Sequence, residues 1–380
     1  MLATGRVAGR RCAVSVSVLH VADLHLDSKI AGLDTDRRQV RRQELKESFA
    51  RVCSLAKERA VQIVLIAGDM FDGDTITRDT AAFVVAQLES LAPARVFISP
   101  GNHDPYTVGG WRAIRENLPE HVTIFEEKIS CVELPDLGVR VYGAGFSGGF
   151  INHPVLDGFS APQDDMINLM VLHGEVCTPG VESSYNPVYP GDIAKSGLDY
   201  LALGHVHTHD GLHQAGGVCY AYAGTHEGHG FDECGDKGVL IGEVDKGRVR
   251  MEFIPTCLRR YHRLELDITD CATAADMTAR VCAAAEEKRD LYRIYLDGTA
   301  EMAPPTVAIA EAVGAFACEV IDRTRPRYDL NALAADYSLK GIFARNVRSA
   351  LENATDAQEA ERVRKACDLV LRIFDKGGAL

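Results

Sequence analysis

Short unbroken apolar runs alternate along this chain with longer stretches in which apolar residues recur at helical spacing. Residues 16–22, 63–67 and 94–99 are runs of the first kind, and a continuous run suits a strand buried on both faces of a parallel sheet. Between them, residues 36–60 carry Phe49, Val52, Cys53 and Ala56 on one helical face, and residues 80–91 carry Phe83, Val84, Gln87 and Leu88. Strand, helix, strand, helix, strand predicts a parallel sheet with helices on its faces. Arg37, Arg38, Arg41 and Arg42 on the first helix read as an exposed face.

Beyond Trp111 the pattern turns to strands, at 122–125, 128–134, 139–144, 168–172 and 200–203. Residues 175–195, rich in Gly, Pro, Ser and Tyr, read as a long loop, and such loops inside a compact domain are usually functional or disordered. Residues 220–244 read as two β segments around a glycine-rich turn region, 224–238. A boundary at 255–258 then opens a small α+β stretch: strands at 261–268, 292–296 and 315–322, helices at 274–287 and 305–313. The last part is helical. Leu339, Ile342, Phe343, Val347 and Leu351 form one stripe, and Val363, Ala366, Val370, Ile373 and Phe374 a second. Thr355-x-x-Gln358 has the form of a capping box opening the second helix, and Gly377 would stop it.

With 380 residues the chain can build two domains. The composition is that of an ordinary globular protein, and no apolar run is long enough to span a bilayer. Eleven cysteines without a Cys-x-x-Cys pair argue against a zinc ribbon or a disulfide framework and point to the reducing cytoplasm. The net charge of −13 is awkward for a nucleic-acid binder, although local patches count for more than the total. Residues 1–12 are basic and glycine-containing and read as an extension ahead of the first strand.

The chemistry sits where the apolar runs end. Five of them deliver Asp23/His25, Asp69/Asp72, Asn102/His103, His173 and His205/His207, which would converge on the carboxyl edge of one sheet. Gly-Asp-x-x-Asp alone could close any loop, but five polar clusters each ending a buried strand would be costly without a purpose. Carboxylate, imidazole and amide oxygen together suit a divalent metal, and they are too many for one ion. Two ions about 3.5–4 Å apart would use them all and share one carboxylate. His20, His153, His213 and His226 read as structural, as do His209 and His229, which belong to no motif.

Asp-x-His, Gly-Asp-x-x-Asp, Gly-Asn-His-Asp, His-Gly and Gly-His-x-His, in this order, resemble the signature of the calcineurin-like metallophosphoesterases. The resemblance implies an α/β calcineurin-like sandwich over residues 13–255, a small α+β capping domain over 257–328 and C-terminal helices over 329–380. It implies that Asp23, His25, Asp69 and His207 hold one metal, and that Asp69, Asn102, His173 and His205 hold the other. His103 matches the family's general acid or transition-state stabiliser, and Asp72 the carboxylate that orients it. Asp23-Leu-His-Leu-Asp27 and Tyr222-Ala-Gly-Thr with Lys237-Gly-Val-Leu are similar to the DNA repair exonuclease branch, SbcD-like and most closely YhaO-like. The end of the chain resembles that branch's tail, which implies an SbcC-like ATPase as partner; a homodimer is compatible with it.

The first function expected is therefore a metal-dependent DNA nuclease, with Mn²⁺ favoured because the donors are oxygens and imidazoles without thiolate. The alternatives are a phosphatase or small-molecule phosphodiesterase on the same scaffold, and a binding subunit with a dead site, which the intact ligand motifs disfavour. The superfamily's protein phosphatases place Arg directly after Gly-Asp-x-x-Asp and another just before Gly-Asn-His; here these positions are Gly73 and Pro100. In the 175–195 loop, Tyr185 and Tyr189 are candidates for stacking on bases, or for pinning the loop.

Overall fold

The computed structural model describes residues 15–73 and 75–375. The extension at 1–12 and the helix stop at Gly377 lie outside the described residues. The chain divides into two compact units after Arg260.

In chain order the first unit comprises β1 (Val16–Val21), α1 (Thr35–Glu58), β2 (Ile63–Ile66), α2 (Arg78–Glu89), β3 (Arg95–Ile98), α3 (Gly109–Ile114), β4 (Val122–Ile124), β5 (Ser130–Leu134), β6 (Val139–Ala144) and β7 (Ile167–His173). These are followed by β8 (Glu175–Val176), β9 (Pro187–Val188), α4 (Pro190–Lys195), β10 (Tyr200–Gly204), β11 (His213–Ala215), β12 (Val218–Tyr222), β13 (Gly238–Asp245) and β14 (Arg248–Pro255). Two six-stranded sheets result, in the orders β14-β13-β1-β2-β3-β4 and β11-β12-β10-β7-β6-β5. Each has four parallel strands, β1 to β4 in one and β12, β10, β7 and β6 in the other. Antiparallel strands complete both.

The alternation of side chains along a strand explains the unbroken apolar runs. In β1, Val16 and Val18 face an apolar layer shared with the second sheet, whereas Leu19 and Val21 face the helices. In β2, Ile63 and Leu65 take the first side, Val64 and Ile66 the second. The helices read from the pattern, α1, α2 and α3, cover one face only, and the second sheet covers the other, as in the sandwich that the resemblance implied. An apolar strand needs cover on both faces, but its residues do not say whether a helix or a sheet provides it. The 175–195 segment is also less of a loop than its composition implied, since β8, β9 and α4 lie within it. Strands β11 and β14 and helix α3 had no counterpart in the apolar pattern; β14 carries Arg248, Arg250 and Glu252 among its apolar residues.

The second unit contains β15 (Tyr261–Asp267), α5 (Ala274–Ala284), β16 (Leu291–Asp297), β17 (Thr299–Ala300), α6 (Thr306–Val313), β18 (Ala317–Asp322), β19 (Arg325–Pro326), α7 (Leu330–Ala334), α8 (Leu339–Glu352) and α9 (Ala357–Asp375). β15, β16 and β18 form a parallel three-stranded sheet that packs Ile294 and Leu296 against Met277, Val281, Ile309 and Val313 of α5 and α6. Helices α8 and α9 pack on each other through Phe343, Val347 and Leu351 against Val363, Cys367, Leu371 and Phe374. The stripe of α9 is thus centred on Cys367 and Leu371, with Ala366 exposed. The capping box is shifted by one residue. Asp356 accepts from the backbone N–H of Glu359 (2.7 Å), and Glu359 rather than Gln358 reaches back to the backbone N–H of Thr355 (2.8 Å). No helix among the described residues is long and apolar enough to cross a membrane, and no disulfide joins the ten cysteines among them.

One of the arginines read as exposed is fully buried. Arg41 donates to Glu44 (2.6 Å), Glu227 (2.8 Å) and the carbonyl of Gly228 (2.8 Å), while Glu44 also accepts from Arg259 (2.7 Å). This network ties α1 to the segments before β13 and after β14. Burial pushes the Glu227 carboxyl up, and Arg41 is the largest influence opposing that shift. Arg41→Ala should cost about 3–5 kcal/mol, the usual penalty for stranding one partner of a buried pair. An acid whose folded-state pKa is raised above its unfolded value loses stability as pH rises through that interval. The melting temperature of Arg41→Ala should therefore fall further below wild type at pH 8 than at pH 5. Adding Glu227→Gln should remove the pH dependence of that gap, as read by calorimetric melting of all three proteins.

Candidate metal centre

The candidate ligands leave the carboxyl ends of parallel strands in both sheets. Asp23 and His25 follow β1, Asp69 and Asp72 follow β2, Asn102 and His103 follow β3, His173 ends β7, and His205 and His207 follow β10. The single sheet edge expected from the pattern is in fact the junction of two.

Local backbone geometry aims these side chains. Asp23, His25, Asp69 and His205 all have positive φ, at 52°, 43°, 50° and 104°. For non-glycine residues such conformations cost on the order of 1–3 kcal/mol each and persist only where the surroundings enforce them. Here the N–H groups of Asp23 and His25 donate to the carbonyls of Gly68 (3.0 Å) and Asp69 (2.9 Å), and the N–H of His205 donates to the Asp23 carboxylate (3.0 Å). Glycines make the room: a Cβ on Gly68 would overlap His173, one on Gly101 would overlap the Asp69 carboxylate, and one on Gly204 would overlap the carbonyl of Ala67.

The resulting constellation is tight. His173 donates from Nδ1 to the carbonyl of Ala67 (2.9 Å), so its Nε2 presents a lone pair. That lone pair faces Asn102 Oδ1 at 3.0 Å and Asp69 Oδ2 at 3.4 Å, neither of which can donate to it. On the other side, Nε2 of His25 lies 3.2 Å from Nε2 of His207 and 3.7 Å from Asp69 Oδ2, and His207 Nε2 lies 3.9 Å from Asp23 Oδ1. Asp23, His25 and His207 form one group able to hold an ion, and Asp23, Asp69 and His173 another. Electron pairs converging in this way fit divalent cations, and the donors suit ions of intermediate hardness. His205 stands beside these groups, its ring 5.3 Å from that of His173.

His103 and Asp72 adjoin the pair. His103 Nδ1 donates to Asp72 Oδ1 at 2.9 Å. This bond raises the His103 pKa, and the hydrogen bonds from His103 and His25 hold Asp72 far below the usual carboxylate range. Burial, with a smaller contribution from His173, lowers His205 to about 4. For His207 burial also acts downward, but the hydrogen bond to Glu233 and the charge of Asp23 outweigh it and raise the ring to about 9. An ion taken up at His207 Nε2 would have to displace that proton.

Tyr185 lies against His205 with ring centroids 4.8 Å apart, and the exposed Phe150 lies 6.0 Å beyond it. Tyr189 donates its hydroxyl to the carbonyl of Val181 (3.1 Å) and so pins its own loop. His20 and His226 are fully buried and lowered to about 3 by that burial, in keeping with a structural role. His209 stacks on Phe253, and His213 pairs with Asp210. His229, taken as structural, instead packs edge-on to His25 at 5.4 Å.

Two residues of the site escaped the sequence reading. The buried Asp104 accepts from the backbone N–H groups of Gly101 (2.7 Å), Met70 (2.8 Å), Asp69 (3.1 Å) and Phe71 (3.3 Å), fastening the loop after β3 to the loop after β2. Burial, then the charge of Asp69, pushes its pKa well up. Its place at the end of Gly-Asn-His-Asp was the available signal. Glu233 lies in a glycine-rich stretch that carried none. Asp27, in the motif that follows β1, accepts from Thr77 N–H (2.9 Å) and Thr80 Oγ1 (2.7 Å) and anchors the start of α2.

The clustered donors suit a metal site, and the profile of the calcineurin-like phosphoesterases matches residues 16–209. The chain belongs to that family, whose members hydrolyse phosphoester bonds. It is 29% identical over 274 residues to the uncharacterized metallophosphoesterase YhaO of Bacillus subtilis, covering 70% of this chain and 65% of that protein. It is 26% identical over 238 residues to the DNA double-strand break repair protein Mre11 of Saccharolobus solfataricus, covering 60% of each. With the Mre11 protein of Methanopyrus kandleri it shares 24% identity over 364 residues, covering 87% of this chain and 76% of the relative. The chain thus spans less than two thirds of the length of the first two relatives.

Gly101 provides a direct check on the geometry. Its φ is not positive, so alanine is allowed by the backbone, but the added Cβ collides with the Asp69 carboxylate. Gly101→Ala should lose most of the Mn²⁺ retained after loading and desalting. Gly148→Ala, whose Cβ meets nothing within 4 Å, should retain it; elemental analysis gives both values.

Proposed function

We propose that this chain is a two-metal phosphodiesterase acting on DNA, and that Asp23, His25, Asp69 and His207 hold one ion while Asp69, Asn102, His173 and His205 hold the other. Mn²⁺ is the proposed ion and the cytoplasm the proposed setting. Bound there, the ions would supply a nucleophile at neutral pH and neutralise charge on the phosphate. The chain's own residues do the rest. His103, held by Asp72 through Nδ1, keeps a proton at Nε2 and offers it to the phosphate or the departing oxygen. Asp72 keeps the ring in that tautomer, and its low pKa keeps it an acceptor. The side chain of His103 is half exposed, as a group that must meet a large substrate requires.

The observation that carries diester over monoester is the pair Gly73 and Pro100, at the positions where phosphatases of the superfamily carry arginines for a dianionic phosphate. A diester, with one negative charge, has less need of them. The Mre11 relatives favour DNA among diesters, and Tyr185, with Phe150 beyond it, gives bases a surface on which to stack. Tyr189 is the second proposed contact. With saturating Mn²⁺ the protein should cleave DNA and bis-aryl phosphate diesters, both stopped by chelator, and act much more weakly on aryl phosphate monoesters. His103→Ala should lose turnover and keep its metal, and Asp69→Ala should lose both. Faster turnover of monoesters than of either diester would establish the phosphatase reading instead.

An SbcC-like ATPase is the proposed partner, with the C-terminal helices as its binding element. What supports this is an apolar remainder: once α8 and α9 have packed on each other, Tyr337, Leu339, Ile342 and Leu369 still face outward. Leu339→Glu with Ile342→Glu should leave metal-dependent hydrolysis of the small diester unchanged and abolish co-purification with a co-expressed ATPase of that type.

A further inference from the structure

The candidate ligands are not held equally. Asp23, Asp69 and His173 are buried, and His173 is further fixed by the carbonyl of Ala67. The side chain of His207 is 34% exposed, so packing alone does not choose between the orientations of its ring. Its Nδ1 lies 2.6 Å from Glu233 Oε1. The other carboxylate oxygen, Oε2, accepts from both the backbone N–H (2.8 Å) and Nδ1 (3.0 Å) of His229. The N–H of Glu233 donates to the carbonyl of Gly230 (3.0 Å), which closes the turn, and the side chain is nearly buried. The buried Lys237, from the same stretch, donates its Nζ to the carbonyl of His207 at 3.0 Å. Residues 229–237 therefore grip both the ring and the backbone of His207.

We propose that Glu233 is a positioning residue of the metal centre: it accepts a hydrogen bond from the Nδ1–H of His207, thereby aims the Nε2 lone pair at the ion shared with Asp23 and His25, and is itself locked by His229. The proposal rests on the reading of His207 as a ligand. A carboxylate on the far nitrogen of a ligating histidine sets its tautomer and orientation, and removing such a partner typically lowers metal affinity about 10–100-fold. His229 belongs to the arrangement because a carboxylate bonded through one oxygen only could swing with the ring. With both oxygens engaged, and with the His229 ring edge-on to His25, the carboxylate has one position.

The test is calorimetric titration of Mn²⁺ into chelator-stripped, full-length protein, with melting in excess chelator measured in parallel. Wild type should take up two ions. Glu233→Ala should weaken one site about 10–100-fold and leave the other unchanged, while still melting in one cooperative transition in chelator. Glu233→Gln should recover part of the loss, because its amide oxygen still accepts from Nδ1. In a His207→Ala background, Glu233→Ala should make no further difference. Wild-type affinity at both sites in Glu233→Ala would overturn the proposal. So would an equal loss at both sites with a lower melting temperature in chelator, which would make Glu233 a loop support, or an added loss in the His207→Ala background. A wild-type protein that takes up no Mn²⁺ fails at an earlier point, overturning the ligand reading itself.

Discussion

Two sheets, each with four parallel strands, share one apolar layer, and the first unit depends on that packing. Val16, Val18, Ile63 and Leu65 meet Val141, Leu169, Val171 and Ala202 across it. Burying apolar surface contributes roughly 25 cal/mol per Å², and the buried His20 on this side of β1 is satisfied by Tyr200 and the Leu203 carbonyl of the second sheet. Parallel strands deliver all their carboxyl ends to one edge, so packing two such sheets together brings two polar edges into one place. The site lies where the apolar layer ends, and the stability of the layer is what holds mutually repelling donors together.

Asp23 and Asp69 are both buried, and each is within ion-holding reach of imidazole nitrogens. Burial pushes the Asp23 carboxyl up, His173 and His207 oppose that shift, and the charge of Asp69 adds to it. The loops that carry these residues are fixed by backbone hydrogen bonds: Asp104 gathers four N–H groups and Asp23 restrains a fifth. Backbone strain, close-fitting glycines and buried carboxylates are concentrated within the few residues after β1, β2, β3 and β10. A site preorganised in this way requires little rearrangement when charge is brought to it.

The most legible part of this chain was the set of strand ends, because a polar cluster closing an unbroken apolar run is a local pattern with few innocent explanations. Six of the seven proposed ligands come together as donor atoms, and the seventh, His205, stands beside them. What escaped notice depends on contacts across the fold. Arg41 sits in a run of arginines that reads as a solvated face, and only the presence of Glu227, 186 positions away, makes it a core residue. Glu233 is one acid in a glycine-rich turn, and its importance comes entirely from His207, 26 positions earlier. The second sheet as a covering layer was implied by the family resemblance and not by the apolar pattern, because a strand's residues record that it is covered, not by what. The register of α9 failed more locally, since Asp356 and Glu359 compete with Thr355 and Gln358 for the same cap.

The spacing of the donors along the chain has a consequence for assembly. Asp23 follows β1 in one sheet and His207 follows β10 in the other, and β1 itself is completed by β13 from near the end of the first unit. Contacts so remote in sequence form late and slowly during folding, because each must close a long loop first. A partly folded chain lacks part of the donor set, so ions bound as proposed would favour the finished unit over what precedes it. By mass action a ligand at about 100 times its dissociation constant adds about 2.7 kcal/mol to such a state. On that reading the supply of divalent metal in the surroundings would help decide how much of this chain persists in its folded form, before any substrate is met.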